Sequence, residues 1–297
     1  MPTTSGTEFS RGGPPQVLPD VSGRKTVKKA PPPRLDLHLH TNRSDGRFDP
    51  AEVLERAAQG SLDVLALADH DQPPALGPGV HQVGGRELRV IGATEVSGLH
   101  DGHELHLLVY FPGAFPEDYA GWLRERSVDR ARAYDVAAAR LGLPEAGPEA
   151  HAGGRAATRF HLARGLWAAG RARGSSDAFP QLAAAGVGPL VHVSFLEVIQ
   201  VARDAGGLCS WAHPSLAAVS RWVSELARAG LQGLEVHRPR LDRPTRNGLK
   251  RAAARHGLLA TGGSDWHGWT EGRLGLYALQ GEPGDAFLRR LDRLPAA

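Results

Sequence analysis

The segment Arg34-Leu35-Asp36-Leu37-His38-Leu39-His40 alternates apolar and polar side chains, so a β-strand there sends three leucines to one face and both imidazoles to the other. Similar placements recur along the chain. The apolar run 64–68 ends in Asp69-His70-Asp71, the run 88–94 ends in Glu95, the run 105–110 contains His106, and the run 208–212 ends in His213-Pro214. Asp265 and His267 close the series within Gly262-Gly263-Ser264-Asp265-Trp266-His267-Gly268. Imidazoles and carboxylates at the ends of successive strands predict a β/α barrel with one polynuclear metal site on its C-terminal rim.

Helix signals separate these runs. Asp49-Pro50-Ala51-Glu52 reads as an N-cap with proline at the first helical position and glutamate at the third, followed by an amphipathic stretch to Ala58. Ser194-Phe195-Leu196-Glu197 opens a second helix that Gly206 can end. Residues 234–237 and 258–261 supply two more strand candidates. The chain therefore divides into a first barrel part over 34–112, a helical insertion over 113–191 and a second barrel part over 192–297. Within the insertion, helices are expected over 118–141, 160–169 and 178–185. The stretch 1–33 lacks apolar periodicity, ends in Pro31-Pro32-Pro33 and reads as a disordered tail. Apart from the β/α rhythm there is no repeat.

Charge narrows the functional classes. Arg11, Arg24, Lys25, Lys28 and Lys29 against Glu8 and Asp20 give the tail the whole of the net +3, so the rest of the chain is balanced and has no nucleic-acid-coating surface. Attraction for anions must be local. The single cysteine, Cys209, excludes an intramolecular disulfide and a cysteine-based zinc cluster. No apolar stretch approaches the roughly 18 residues of a membrane span, and no signal-peptide core is present, so a cytoplasmic protein with no obligate protein partner is expected.

Histidine nitrogen combined with carboxylate oxygen suits manganese, iron or zinc better than magnesium or calcium. The nine candidates His38, His40, Asp45, His70, Glu95, His106, His213, Asp265 and His267 are too many for one ion, whereas three ions sharing Glu95 as a bridge would use them all. Clustered ions polarise a phosphoryl group, generate hydroxide from a bridging water and steady a leaving oxygen.

His38-Leu39-His40-Thr41 with Ser44-Asp45-Gly46, then Ala68-Asp69-His70-Asp71, Glu95, His106, Ala212-His213-Pro214 and the glycine-flanked Asp265-Trp266-His267 together resemble the polymerase and histidinol phosphatase (PHP) family of metal-dependent phosphoesterases. The resemblance runs from about Arg34 to the C-terminus. It is strongest to the branch that removes the 3′-phosphate from nucleoside 3′,5′-bisphosphates, some members of which trim short RNA from the 5′ end. The resemblance implies a distorted seven-stranded β/α barrel with a helical insertion over the rim. It also implies one ion at His38, His40, Glu95 and Asp265, a second at Glu95, His106 and His213, and a third at Asp45, His70 and His267.

Thr158-Arg159-Phe160-His161-Leu162-Ala163 is similar to the Arg-Pro-His segment of that branch. This implies that Arg159 grips substrate phosphate and that His161 helps to place it; a guanidinium fork matches phosphate geometry. Phe160 stands where the family has proline, and Val191-His192-Val193 departs from the aromatic-valine pair expected there. The expected reaction is in-line attack by a metal-bridging hydroxide, with no phosphoenzyme, on a small phosphorylated substrate, which the resemblance to that branch implies is a nucleotide. Alternatives are a histidinol-phosphate-type phosphatase, a 5′-3′ exoribonuclease on short RNA, or an inactive scaffold that only binds.

Other polar residues have plainer readings. Asp69 and Asp71 either orient imidazoles or, for Asp71, cap a loop. Arg124, Arg126, Arg130 and Arg132, interleaved with Glu125 and Asp129, read as the solvated side of a helix. His103 competes with His106, whose spacing is the better match. His237 closes a strand at the rim with no assigned partner.

Overall fold

A computed structural model describes residues 3, 31–269 and 272–295. The N-terminal basic run and most of the expected tail lie outside the described residues. Those from Pro32 onward belong to one packing unit.

The first strand, β1 (Leu35–Leu39), leads through a loop to α1 (Pro50–Gln59). Asp49 caps that helix by accepting from the Glu52 amide at 2.9 Å, while Glu52 accepts from the Asp49 amide, completing the expected capping box. Then come β2 (Val64–Leu67), β3 (Gly79–Val83), β4 (Arg86–His100) and β5 (His103–Phe111). Four helices follow: α2 (Glu117–Leu141), the short α3 (Pro148–His151), α4 (Arg159–Ala168) and α5 (Ser175–Ala184). The rest alternates as α6 (Phe195–Asp204), β6 (Leu208–Trp211), α7 (Leu216–Arg228), β7 (Gly233–His237), α8 (Arg243–Arg255), β8 (Leu259–Gly262) and α9 (Glu282–Leu291).

The sheet runs β1-β2-β4-β5-β6-β7-β8, with β3 hanging from β4. Its seven-strand path curls until its ends meet: the Asp265 amide donates to the His38 carbonyl at 2.9 Å, and the His40 amide to the Trp266 carbonyl at 3.1 Å. The pairs β1/β2, β2/β4, β6/β7 and β7/β8 are parallel, whereas β4/β5 and β5/β6 are antiparallel. This is the α/β barrel that the alternation predicted, with the distortion and seven-strand path that the resemblance implied.

One expectation about strand ends is corrected here. Glu95 does not close its strand; β4 continues to His100 and returns as β5 through Asp101-Gly102. Both turn residues have positive φ, 49° and 76°, as a two-residue hairpin loop with the right twist requires. Glu95 and His106 therefore lie within a hairpin rather than at the ends of parallel strands.

Leu35, Leu37, Ala66, Ile91, Leu108 and Tyr110 fill the barrel, and Phe287 and Leu291 of α9 pack against the same cluster. Helices α6, α7 and α8 cover the outer face of β5 to β7. The inserted helices have a core of their own, built on Tyr134, Leu162, Leu166, Leu182 and Leu190. Among the described residues no helix is long and apolar enough to cross a membrane.

Candidate metal centre

All nine candidate ligands converge at the C-terminal ends of the parallel strands and on the facing β4–β5 hairpin. Glu95, buried on β4, lies at their middle. Its Oε2 stands 3.2 Å from His38 Nε2, 3.3 Å from His40 Nε2 and 3.2 Å from His70 Nδ1. Its Oε1 stands 3.1 Å from His106 Nδ1 and 2.9 Å from His213 Nε2.

These distances gather the side chains into three neighbouring groups. In the first, Asp265 Oδ1 approaches His38 Nε2 at 3.5 Å and His40 Nε2 at 3.3 Å, with Glu95 alongside. In the second, His106 Nδ1 and His213 Nε2 are 3.2 Å apart and share Glu95 Oε1. In the third, ligand atoms of His40, Asp45, His70 and His267 all lie within 4.8 Å of one another, and His267 Nε2 is 3.1 Å from Asp45 Oδ1.

The donor set fits divalent cations. His38 Nε2, His40 Nε2, Glu95 Oε2, Asp45 Oδ1 and His70 Nδ1 are buried with no aligned hydrogen-bond partner. Burial without a partner costs such groups a few kcal/mol, and five of them aimed into one pocket is the arrangement that cations would satisfy. Protons stand in for part of that charge. Burial alone would push the His40 imidazole down, but the Asp265 and Glu95 carboxylates outweigh it and hold it up to about 10. His106 is likewise depressed by burial and raised, against it, to about 10 by Glu95 and Glu104. His70 is pushed down to about 3 by burial, which its acidic neighbours do not overcome. Burial would raise Glu95, yet the surrounding histidines hold it well below the ordinary carboxylate range.

The backbone pays for this convergence at a few points. His213 (φ 31°) and Asp265 (φ 54°) are non-glycine residues on the left-handed side, a strain characteristic of functional sites. Gly263 permits the closure of the barrel: a Cβ there would lie 2.3 Å from the His38 Cβ.

Several supporting residues differ from expectation. Asp69 touches no imidazole directly; it accepts from the Thr41 amide at 2.7 Å, the Thr41 hydroxyl at 2.6 Å and the Ser44 hydroxyl at 2.6 Å, fixing the loop that carries Asp45 and the Ser44 hydroxyl that lies 3.4 Å from His40 Nδ1. Asp71 accepts from the Ser97 amide at 3.2 Å and from Arg130 Nε at 2.9 Å, with Arg126 Nη2 at 3.3 Å. Arg130 is thus buried rather than solvated, because α2 turns this side toward the barrel; Arg124 and Arg132 do face solvent and pair with Glu117 and Asp129. His103 is exposed and bonded to the Asp101 carbonyl, outside the cluster.

Glu235, overlooked as a strand residue, is buried and tethers two candidate ligands. Its Oε1 lies 3.1 Å from His38 Nδ1, and its Oε2 accepts from the His213 amide at 2.7 Å. With Nδ1 so engaged, the His38 Nε2 lone pair is directed at the cluster. The signal was a glutamate between Leu234 and Val236 on the inward face of β7. Glu104, also overlooked, pairs with Arg159 Nη2 at 2.7 Å and stands 3.5 Å from His106 Nε2.

The inserted segment contributes less directly. Arg159 sits on the rim with its side chain 35% exposed. His161 stays one step back: Nδ1 accepts from the Thr158 amide at 3.1 Å, and the Thr158 hydroxyl donates to Asp45 Oδ2 at 3.0 Å. Burial and nearby arginines push its imidazole down to about 4, against the pull of Asp45.

The chain is 30% identical over 247 residues to the 5′-3′ exoribonuclease Rnm of Escherichia coli K12, a match spanning 78% of this chain and 84% of that protein. This chain belongs to the PHP family of metal-dependent phosphoesterases. As a PHP protein it is a phosphoric ester hydrolase. It is also 29% identical over 258 residues to the 3′,5′-nucleoside bisphosphate phosphatase of Chromobacterium violaceum, covering 80% of this chain and 88% of the relative. A solved structure from Bifidobacterium adolescentis, assigned to the metal-dependent phosphoesterases, superposes with a TM-score of 0.68 at 28% identity over 88% of this chain and 97% of that one. No family model matches the chain.

Proposed function

We propose that this PHP protein removes the 3′-phosphate from nucleoside 3′,5′-bisphosphates with three divalent ions, manganese first and iron or zinc as substitutes. The observation that carries this reading is Glu95, whose two oxygens each face a separate set of histidines. Ions held there would supply polarisation of the phosphoryl group, acidification of water and charge to neutralise the leaving oxygen.

The residues do the positioning. His38, His40 and Asp265 would hold the first ion, His106 and His213 the second, and Asp45, His70 and His267 the third, with Glu95 between the first two. Arg159, steadied by Glu104, offers its remaining N–H groups to a phosphate entering over the rim. His161 is a positioning residue: neutral at physiological pH, it fixes Thr158, which in turn orients Asp45.

A 5′-3′ exoribonuclease activity on short RNA is the second reading, supported by the similarity to Rnm. Adenosine 3′,5′-bisphosphate, histidinol phosphate and a 5′-phosphorylated oligoribonucleotide, compared at one manganese concentration, separate the possibilities. The bisphosphate is expected to give the highest kcat/KM; a clear preference for either competitor would replace this assignment.

A further inference from the structure

Beside the third subsite the chain gathers positive charge that the phosphoester chemistry does not use. The Arg47 amide donates to the His267 carbonyl at 2.8 Å, which places that residue next to a candidate ligand. Trp269, 36% exposed, is anchored by its indole N–H to the Asp45 carbonyl at 2.6 Å. The Arg164 guanidinium lies over its ring, 3.4 Å from the centroid, and that of Arg47 lies 6.0 Å away. Arg155 completes the group, with Nη2 3.1 Å from His161 Nε2.

Among the described residues no carboxylate forms an ion pair with any of these three arginines. Partial burial lowers the pKa of Arg164, and Arg47 and Arg155 lower it further by repulsion. Like charges held together at a catalytic rim without a counter-charge call for an anion from outside. Trp269, on whose ring Arg164 stacks, and Phe160, their ring centroids 6.1 Å apart, also line a cavity of about 690 Å³ that reaches Asp265 and His267, so a nucleoside has room against the tryptophan.

We propose that Arg47 and Arg164, which flank Trp269, together with Arg155 beside His161, form a second anion subsite that receives a phosphate other than the one being hydrolysed. The inference deepens the nucleotide reading above and rests on it for the choice of ligand. The second phosphate has two sources of identical chemistry: the remote phosphate of a nucleoside bisphosphate, or the next phosphodiester of a short RNA.

Equilibrium titration of the full chain in manganese, with adenosine, adenosine 5′-monophosphate and 5′-phosphorylated triadenylate, tests this without requiring turnover. The monophosphate should bind about tenfold more tightly than adenosine, the size of one or two charged hydrogen bonds at a half-exposed site. Arg47→Ala and Arg164→Ala should erase that advantage, with melting temperature unchanged, and Arg164→Lys should restore part of it. If only the monophosphate advantage is lost, the remote phosphate is the occupant; if the triadenylate advantage over the monophosphate is lost, the RNA backbone is. Equal binding of all three ligands by the unaltered chain, or advantages that survive both alanine variants, would overturn the subsite. Absence of 3′-phosphatase turnover alongside arginine-dependent binding would instead overturn the substrate reading.

Discussion

The two sides of the catalytic mouth are built to different standards. On the barrel side, candidate ligands are buried and braced from behind: His38 by Glu235, and the Asp45 loop by Asp69. On the inserted side, Arg159, Arg155 and Arg164 are half-exposed and carried by a segment that packs into its own hydrophobic cluster, and Arg159 is braced by Glu104. The difference separates two tasks. Chemistry at phosphorus demands donor atoms fixed to a fraction of an ångström, whereas recognition of the rest of a substrate tolerates side chains that can shift.

The sharpest test strikes the braced side. Glu95→Gln and Asp265→Ala should each reduce phosphate release on the order of a thousandfold, comparable to removing a fixed electrostatic partner of the transition state. Circular dichroism should show the fold retained; near-normal turnover would move the reactive centre elsewhere. The joint between the two sides comes next. Arg130→Ala leaves Asp71 buried without its main partner and should lower stability by about 3 kcal/mol in urea unfolding, whereas Arg124→Ala, at an exposed pair, should change it by less than about 0.5 kcal/mol. Equal effects would erase the distinction between the buried and solvated faces of α2.

Behind the ligands, Glu235→Gln should weaken manganese binding about ten- to hundredfold, measured by titration of the metal-stripped chain. A smaller expected effect concerns protons. His40 and His106, both raised to about 10 without metal, contribute stability that is fully present below pH 6.5 and lost as pH rises through 10. An incoming cation must displace those protons, so metal affinity should rise from pH 6 to pH 8, with proton release in calorimetry; affinity that falls with pH would contradict the carboxylate-imidazole pairing.

Much of this arrangement was legible before any coordinates. The alternation over 35–40 identified β1 as a strand, and Asp49-Pro50-Ala51-Glu52 identified α1, but the three leucines do not share one face: a register shift between Asp36 and Leu39 leaves Leu35 and Leu37 in the barrel cluster and sends Leu39 to the cluster under α1. The nine candidate ligands were likewise visible as residue types at repeated places. What escaped depended on partners distant in sequence. Glu235 lies 197 residues from His38, and nothing within β7 announces the pairing. Arg130 looks like its solvated neighbours until α2 is laid against Asp71. The β4–β5 hairpin is signalled in the sequence by Asp101-Gly102, a two-residue turn between two apolar runs.

The closure of the sheet sets a timetable for the protein's maturation. His38 must wait on the ribosome until Gly263 and Asp265 have been made and can dock against it, since the first subsite takes ligands from both ends of the barrel path. Completion of the cation cage would therefore be a late event, since only the Glu95, His106 and His213 group needs nothing beyond residue 213, and a stalled chain would display stray histidines without the full set of donors.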